Sequence, residues 1–110
     1  MPYHQHDSDT SVYLGSEERP NNKYDFYYAE QGSSPTVIAR FGKNGDYQSG
    51  LIIVKYAIKP DQDVMEQLQA MKNGDDEVLS LLSTATILSV EQGLLDLNFK
   101  SVEKKKPKLK

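Results

Sequence analysis

The chain has 110 residues, 37% of them hydrophobic, with 13 Lys/Arg against 16 Asp/Glu and no cysteine. The length suits one domain, and the absence of cysteine excludes a disulfide framework and thiolate catalysis. Charge is split: residues 1–99 carry seven Lys/Arg and fifteen Asp/Glu, a net −8, whereas residues 100–110 carry six Lys and Glu103, a net +5. An acidic body with a basic end predicts an interaction protein before an enzyme. No basic segment followed by an apolar core opens the chain. Its longest apolar run, Leu51 to Val54, falls far short of the ~20 residues that span a bilayer. The expectation is a cytoplasmic protein with no membrane partner.

Residues 1–22 are polar and aperiodic, ending in the turn signal Pro20-Asn21-Asn22. They are expected to be a flexible arm, with Val12-Tyr13-Leu14 available as a short edge strand. The folded domain is expected over 23–102. Lys23 to Ala29 is aromatic-rich, as strands are, with Tyr24, Phe26 and Tyr28 on one face and Asp25 and Tyr27 on the other. Thr36 to Phe41 reads as a second strand. Asn44-Gly45 is the signal of a type I′ hairpin turn. A third strand is predicted from Tyr47 to Ile58, with Gly50 as a bulge and Leu51-Ile52-Ile53-Val54 apolar on both faces.

After Pro60, Asp61 or Asp63 caps a helix whose apolar stripe is Val64, Leu68 and Met71. Asn73-Gly74 stops it. Asp75 or Asp76 caps a second short helix carrying Val78, Leu79 and Leu82. Strict alternation from Leu95 to Lys100 predicts a strand. It pairs with β-branched Thr84–Val90 through Glu91-Gln92-Gly93. A helix capped by Ser89 with Gln92 three residues on is the rival reading. The predicted fold is therefore α+β: a small, mainly antiparallel sheet in the order βββααββ, two short helices, and a basic tail at 103–110.

Few residues point to chemistry. His4-x-His6-Asp7-x-Asp9 is the only cluster of metal-ligand types. With Met1 removed, a free amine, backbone nitrogens and His4 would suit a square-planar ion. Second-shell order is not evident, so His4 and His6 are weak candidates and no metal or cofactor is expected. These are also the only histidines. A Ser–His–Asp triad would have to borrow from the arm, and no G-x-S-x-G stands near it. Asp75-Asp76-Glu77 is accounted for by capping, and Asp61-x-Asp63-x-x-Glu66 lacks the glycine and terminal glutamate of a calcium loop. Gly42-Lys43-Asn44-Gly45 does not match a phosphate-cradling loop and opens no helix. No enzymatic activity is expected.

The aromatic set is more informative. All seven tyrosines lie in the first 56 residues. Tyr24, Tyr27, Tyr28, Arg40 and Tyr47 are the candidate protein-binding residues, tyrosine and arginine being enriched at interfaces. The alternative is that Tyr and Phe fill the core of a domain without Trp. A non-enzymatic accessory, inhibitor or adaptor protein is the leading expectation, with a homodimer through a hairpin edge near 36–58 compatible with the pattern. The alternative is a single-stranded nucleic-acid binder that stacks bases on the tyrosine-rich sheet and holds phosphates with Lys104, Lys105, Lys106, Lys108 and Lys110.

Overall fold

The computed structural model describes residues 11–31 and 34–102. They form an antiparallel sheet of β1 (Val12–Glu18), β2 (Lys23–Gln31), β3 (Ser34–Phe41) and β4 (Asp46–Ser49), neighbours in space as in sequence. Three helices follow: α1 (Leu51–Ala57), α2 (Val64–Lys72) and α3 (Glu77–Glu91). The α+β class with an antiparallel sheet is the one the hydrophobic pattern predicts. The order of elements is ββββααα where the pattern predicts βββααββ.

Period-2 alternation builds the sheet. Tyr24, Phe26 and Tyr28 of β2 and Val37 and Ala39 of β3 turn to one face and are buried there. α3 and α1 cover that face. α3 contacts every strand, α2 lies on α3, and α1 packs against β3 and α3. Leu68 and Leu82 join Phe26 as fully buried side chains of one continuous core, each contributing about 1.5–3 kcal/mol of burial.

The sheet starts earlier than the composition predicts. Pairing begins at Val12, inside the segment read as an arm, and runs to Glu18↔Lys23. The Pro20-Asn21-Asn22 turn closes that hairpin, with the Arg19 amide donating to the Asn22 carbonyl at 2.9 Å. Register slips between Tyr13 and Gly15, so Leu14 is the extra residue of a bulge. It faces the core, and its carbonyl accepts from Gln92 Nε2 at 3.0 Å. β1 is polar elsewhere because it is an edge, which left only the Val12–Leu14 triplet as a signal. Residues 1–10 and the tail 103–110 lie outside the described residues.

The predicted third strand is cut at Gly50. β4 ends at Ser49, and α1 begins at Leu51. Gly50 sits at φ 141°, with its amide still donating to the Val37 carbonyl at 3.2 Å as the last rung of the ladder. An L-residue rarely adopts that φ, so the glycine is where the chain leaves the sheet and turns helical. A short run apolar on all sides does not by itself separate a buried strand from a helix. The β3–β4 loop is a hairpin as predicted, but positive φ falls on Gly42 and Gly45 rather than on Asn44, so the turn is longer than a two-residue type I′.

α2 follows its signals. Asp63 caps it, accepting from the Glu66 amide at 2.9 Å, and Asn73 ends it. α3 overrides its own. Asp76 caps it through the Leu79 amide, but the helix then runs 15 residues to Glu91, through the stretch predicted as a strand. The Thr84, Thr86 and Ser89 hydroxyls donate to carbonyls four residues back at 2.8, 2.7 and 2.9 Å. That absorbs the polar atoms of residues whose propensity favours a strand. Gly93 and Leu94 then close a Schellman motif, donating to the Val90 and Ser89 carbonyls. Helix and cap together displace the predicted hairpin at 84–100 and the rival helix starting at Ser89.

The alternating segment Leu95–Lys100 is a tight turn, not a strand. Leu95 bridges Ser101. Asp96 Oδ1 accepts from the amides of Asn98 and Lys100 at 2.8 and 3.0 Å. Phe99, at φ 63°, drops its ring into the core beside Leu95.

Candidate functional site

The sheet face opposite the helices is the most distinctive surface of the molecule. Two adjacent rows cross it: Tyr13, Tyr27, the buried Ile38 and Ser49, and Ser16, Asp25, Arg40, Tyr47. Each row is set by strand register, so residues far apart in sequence become cross-strand neighbours. Tyr13 and Tyr27 meet with ring centroids 5.6 Å apart at 59°, a tilted geometry favoured by aromatic pairs. Arg40 reaches diagonally and holds its guanidinium 5.8 Å from the Tyr27 ring centroid. The Tyr13 hydroxyl bonds Ser16, and Ser16 Oγ donates to Asp25 Oδ1 at 2.6 Å. Tyr13 and Tyr47 are exposed and Tyr27 half-buried.

At one end of this face lies a shallow basin of about 390 Å³ lined by Lys23, Asp25, Tyr27, Arg40, Lys43 and Gly45. The glycine leaves room for the arginine, since a Cβ there would stand 3.3 Å from Arg40 Nη2. Three cations surround one carboxylate, and that carboxylate already accepts from Ser16. The basin is therefore a cationic spot on a net-acidic body.

Of the five protein-binding candidates, strand register brings Tyr27, Arg40 and Tyr47 together. Tyr24 and Tyr28 are corrected to core positions, because alternation along β2 turns them beneath the helices, where Tyr24 is 2% exposed. Their hydroxyls carry structural bonds. Tyr24 donates to Glu77 Oε2 at 2.8 Å, and the Tyr28 hydroxyl bonds Ser101 Oγ at 2.6 Å. Burial chiefly raises both pKa values above the ordinary 10.0, aided by the Glu77 and Glu30 carboxylates respectively. Glu77 is shifted the other way, held below its ordinary value first by the Asn21 amide and then by Tyr24.

Tyr13 was hidden by the polar segment around it, and only the Val12-Tyr13-Leu14 triplet pointed to it. Lys55, close to the tyrosines in sequence, falls on α1 and away from this face. The histidine candidates His4 and His6, and the tail lysines Lys104, Lys105, Lys106, Lys108 and Lys110, lie outside the described residues. Among the described residues no group of three or more His, Cys, Asp or Glu is placed to hold a metal ion. No helix among them is long and apolar enough to cross a membrane. Comparison with protein families, curated proteins and solved structures finds no match to this chain.

Proposed function

We propose that this is a cytoplasmic, non-enzymatic protein that binds another protein through the open face of its sheet, as an accessory, inhibitor or adaptor. One observation carries the reading: Tyr13, Tyr27, Tyr47 and Arg40 converge on a single sheet face that the helices leave uncovered. Rigid tyrosines and an arginine supply large contact area at low cost in side-chain entropy, which is the composition of interface anchors. A photo-crosslinking residue in place of Tyr47, expressed in the source cells, is expected to trap a defined partner. Arg40→Glu should abolish the adduct while leaving the fold intact. No adduct, or one that Arg40→Glu leaves unchanged, would sink the proposal.

A second reading, single-stranded nucleic acid, is favoured by the basin, where Lys23, Arg40 and Lys43 surround Tyr27. Stacking on a sheet tyrosine with phosphates on flanking cations is a known mode. Under it, anisotropy of a labelled oligothymidine should rise at low salt and fall steeply as salt increases. Lys43→Glu and deletion of 104–110 should each weaken binding. A flat titration at low salt eliminates this reading.

A further inference from the structure

The basin at the end of the sheet face constrains what a partner must bring to it. Its lining carries three cations, Lys23, Arg40 and Lys43, against one carboxylate, Asp25. β2 supplies Lys23 and Asp25, β3 supplies Arg40, and the β3–β4 loop supplies Lys43. Asp25 stands opposite Arg40 in the ladder and accepts from Ser16, so that carboxylate is already engaged. Neither Lys23 nor Lys43 is in an ion pair among the described residues, and both are exposed.

Two further carboxylates stand near without closing the basin. Glu18 is the cross-strand neighbour of Lys23 on the outer strand β1, but it makes no ion pair with that lysine and is not part of the lining. Asp46 pairs with Phe41, whose ring tilts against Tyr24 on the core side. Alternation therefore puts Asp46 in the row that faces the helices. The lining keeps a surplus of two positive charges, three cations less one carboxylate, on a chain whose first 99 residues carry a net −8.

Geometry selects the anion. A polyanion needs a track of cations along its path. Among the described residues the rest of this face supplies none: its two rows continue through Tyr13, Ser16, Ile38, Ser49 and Tyr47. An isolated cationic basin beside a tyrosine row fits one acidic side chain flanked by uncharged ones. Arg40 holds its guanidinium 5.8 Å from the Tyr27 ring centroid, and the planar fork of arginine matches a carboxylate in two parallel bonds. Elsewhere the acidic body repels an acidic segment, so the basin also fixes the register in which that segment docks. We infer, resting on the reading that the sheet face binds a protein, that the basin seats an aspartate or glutamate side chain of the partner between Arg40, Lys23 and Lys43.

The test titrates the full chain with short extended peptides in which threonine alternates with glutamate, glutamine or lysine, and with a short oligothymidine. The glutamate peptide is expected to shift the backbone amides of Lys23, Arg40 and Lys43 in NMR spectra, with affinity falling as salt rises. Lys43→Glu should weaken it roughly tenfold, and Lys23→Glu/Lys43→Glu should prefer the lysine peptide. Lys55→Glu, on α1, makes the same charge change away from the basin and should leave binding unchanged. Lys23 and Lys43 are exposed, so their replacement should not perturb the fold, which circular dichroism checks. Equal binding of the glutamate and glutamine peptides, a loss from Lys55→Glu as large as that from Lys43→Glu, or no binding overturns the inference. So does oligothymidine bound more tightly than the glutamate peptide, which assigns the basin to phosphate. A Tyr47 adduct that survives Lys23→Glu/Lys43→Glu overturns the inference alone, whereas absence of any adduct with the basin intact overturns the wider reading with it.

Discussion

Glu77 shows how one side chain serves several layers. It sits in the first turn of α3, where a carboxylate suits the positive end of the helix dipole. It also accepts from Tyr24 in the sheet and from Asn21 in the β1–β2 turn. Nearby, Arg19 donates to Ser80 and Thr84 of the same helix, and its guanidinium lies 5.9 Å from the Tyr24 ring centroid. Because these bonds favour the charged form, Glu77 has a lowered folded-state pKa. Its contribution is complete above the ordinary value of 4.5 and is lost as pH falls through the lowered folded value. Glu77→Gln should therefore be less stable than the wild type at neutral pH, with the gap between their melting temperatures closing in acid. A gap independent of pH would refute the linkage.

α3 is the element the sequence hid most effectively. Amphipathic helices announce themselves by period, but nearly every residue from Ser80 to Ser89 is buried, so no polar face remains to set one. Its Thr and Ser content imitates a strand, and the helix survives because Thr84, Thr86 and Ser89 return their hydroxyls to its own carbonyls while Ser80 donates to the Lys72 carbonyl of α2. Ser83 is the exception among the described residues: its Oγ is buried with no hydrogen-bond partner. Ser83→Ala removes an unsatisfied polar atom at little loss of volume, and should raise stability by about 1 kcal/mol, read as a higher urea midpoint at unchanged slope. By contrast β2, β3 and α2 were legible, because each keeps one face in water and one in the core. The site was legible where it shared those elements. The alternation of β2 separates Tyr27 from Tyr24 and Tyr28, but only pairing partners reveal which face the helices cover. Tyr13 depended on long-range pairing of an edge strand that local pattern does not encode.

At the scale of the whole molecule, two tyrosine hydroxyls stitch the layers together. Tyr24 joins the sheet to α3 through Glu77, and Tyr28 joins it to the C-terminal segment through Ser101, whose hydroxyl also donates to Glu30 of β2. Both have raised folded-state pKa values, so their contribution is complete below the ordinary 10.0 and is lost as pH rises through the folded values. Denaturant midpoints should fall in strong alkali, and the double variant Tyr24→Phe/Tyr28→Phe should flatten that fall. A variant with an unchanged alkaline slope would show that the loss arises elsewhere. The margins of the sheet bear on edge-to-edge association. On β1 the bulge at Leu14 interrupts the regular ladder, and Gln92 occupies the carbonyl that an incoming strand would meet. On the other side β4 has only four residues before Gly50 bends the chain away. Each margin is thus a poor template for fibril growth, and a face rich in tyrosine can stay exposed without recruiting further copies into a cross-β stack.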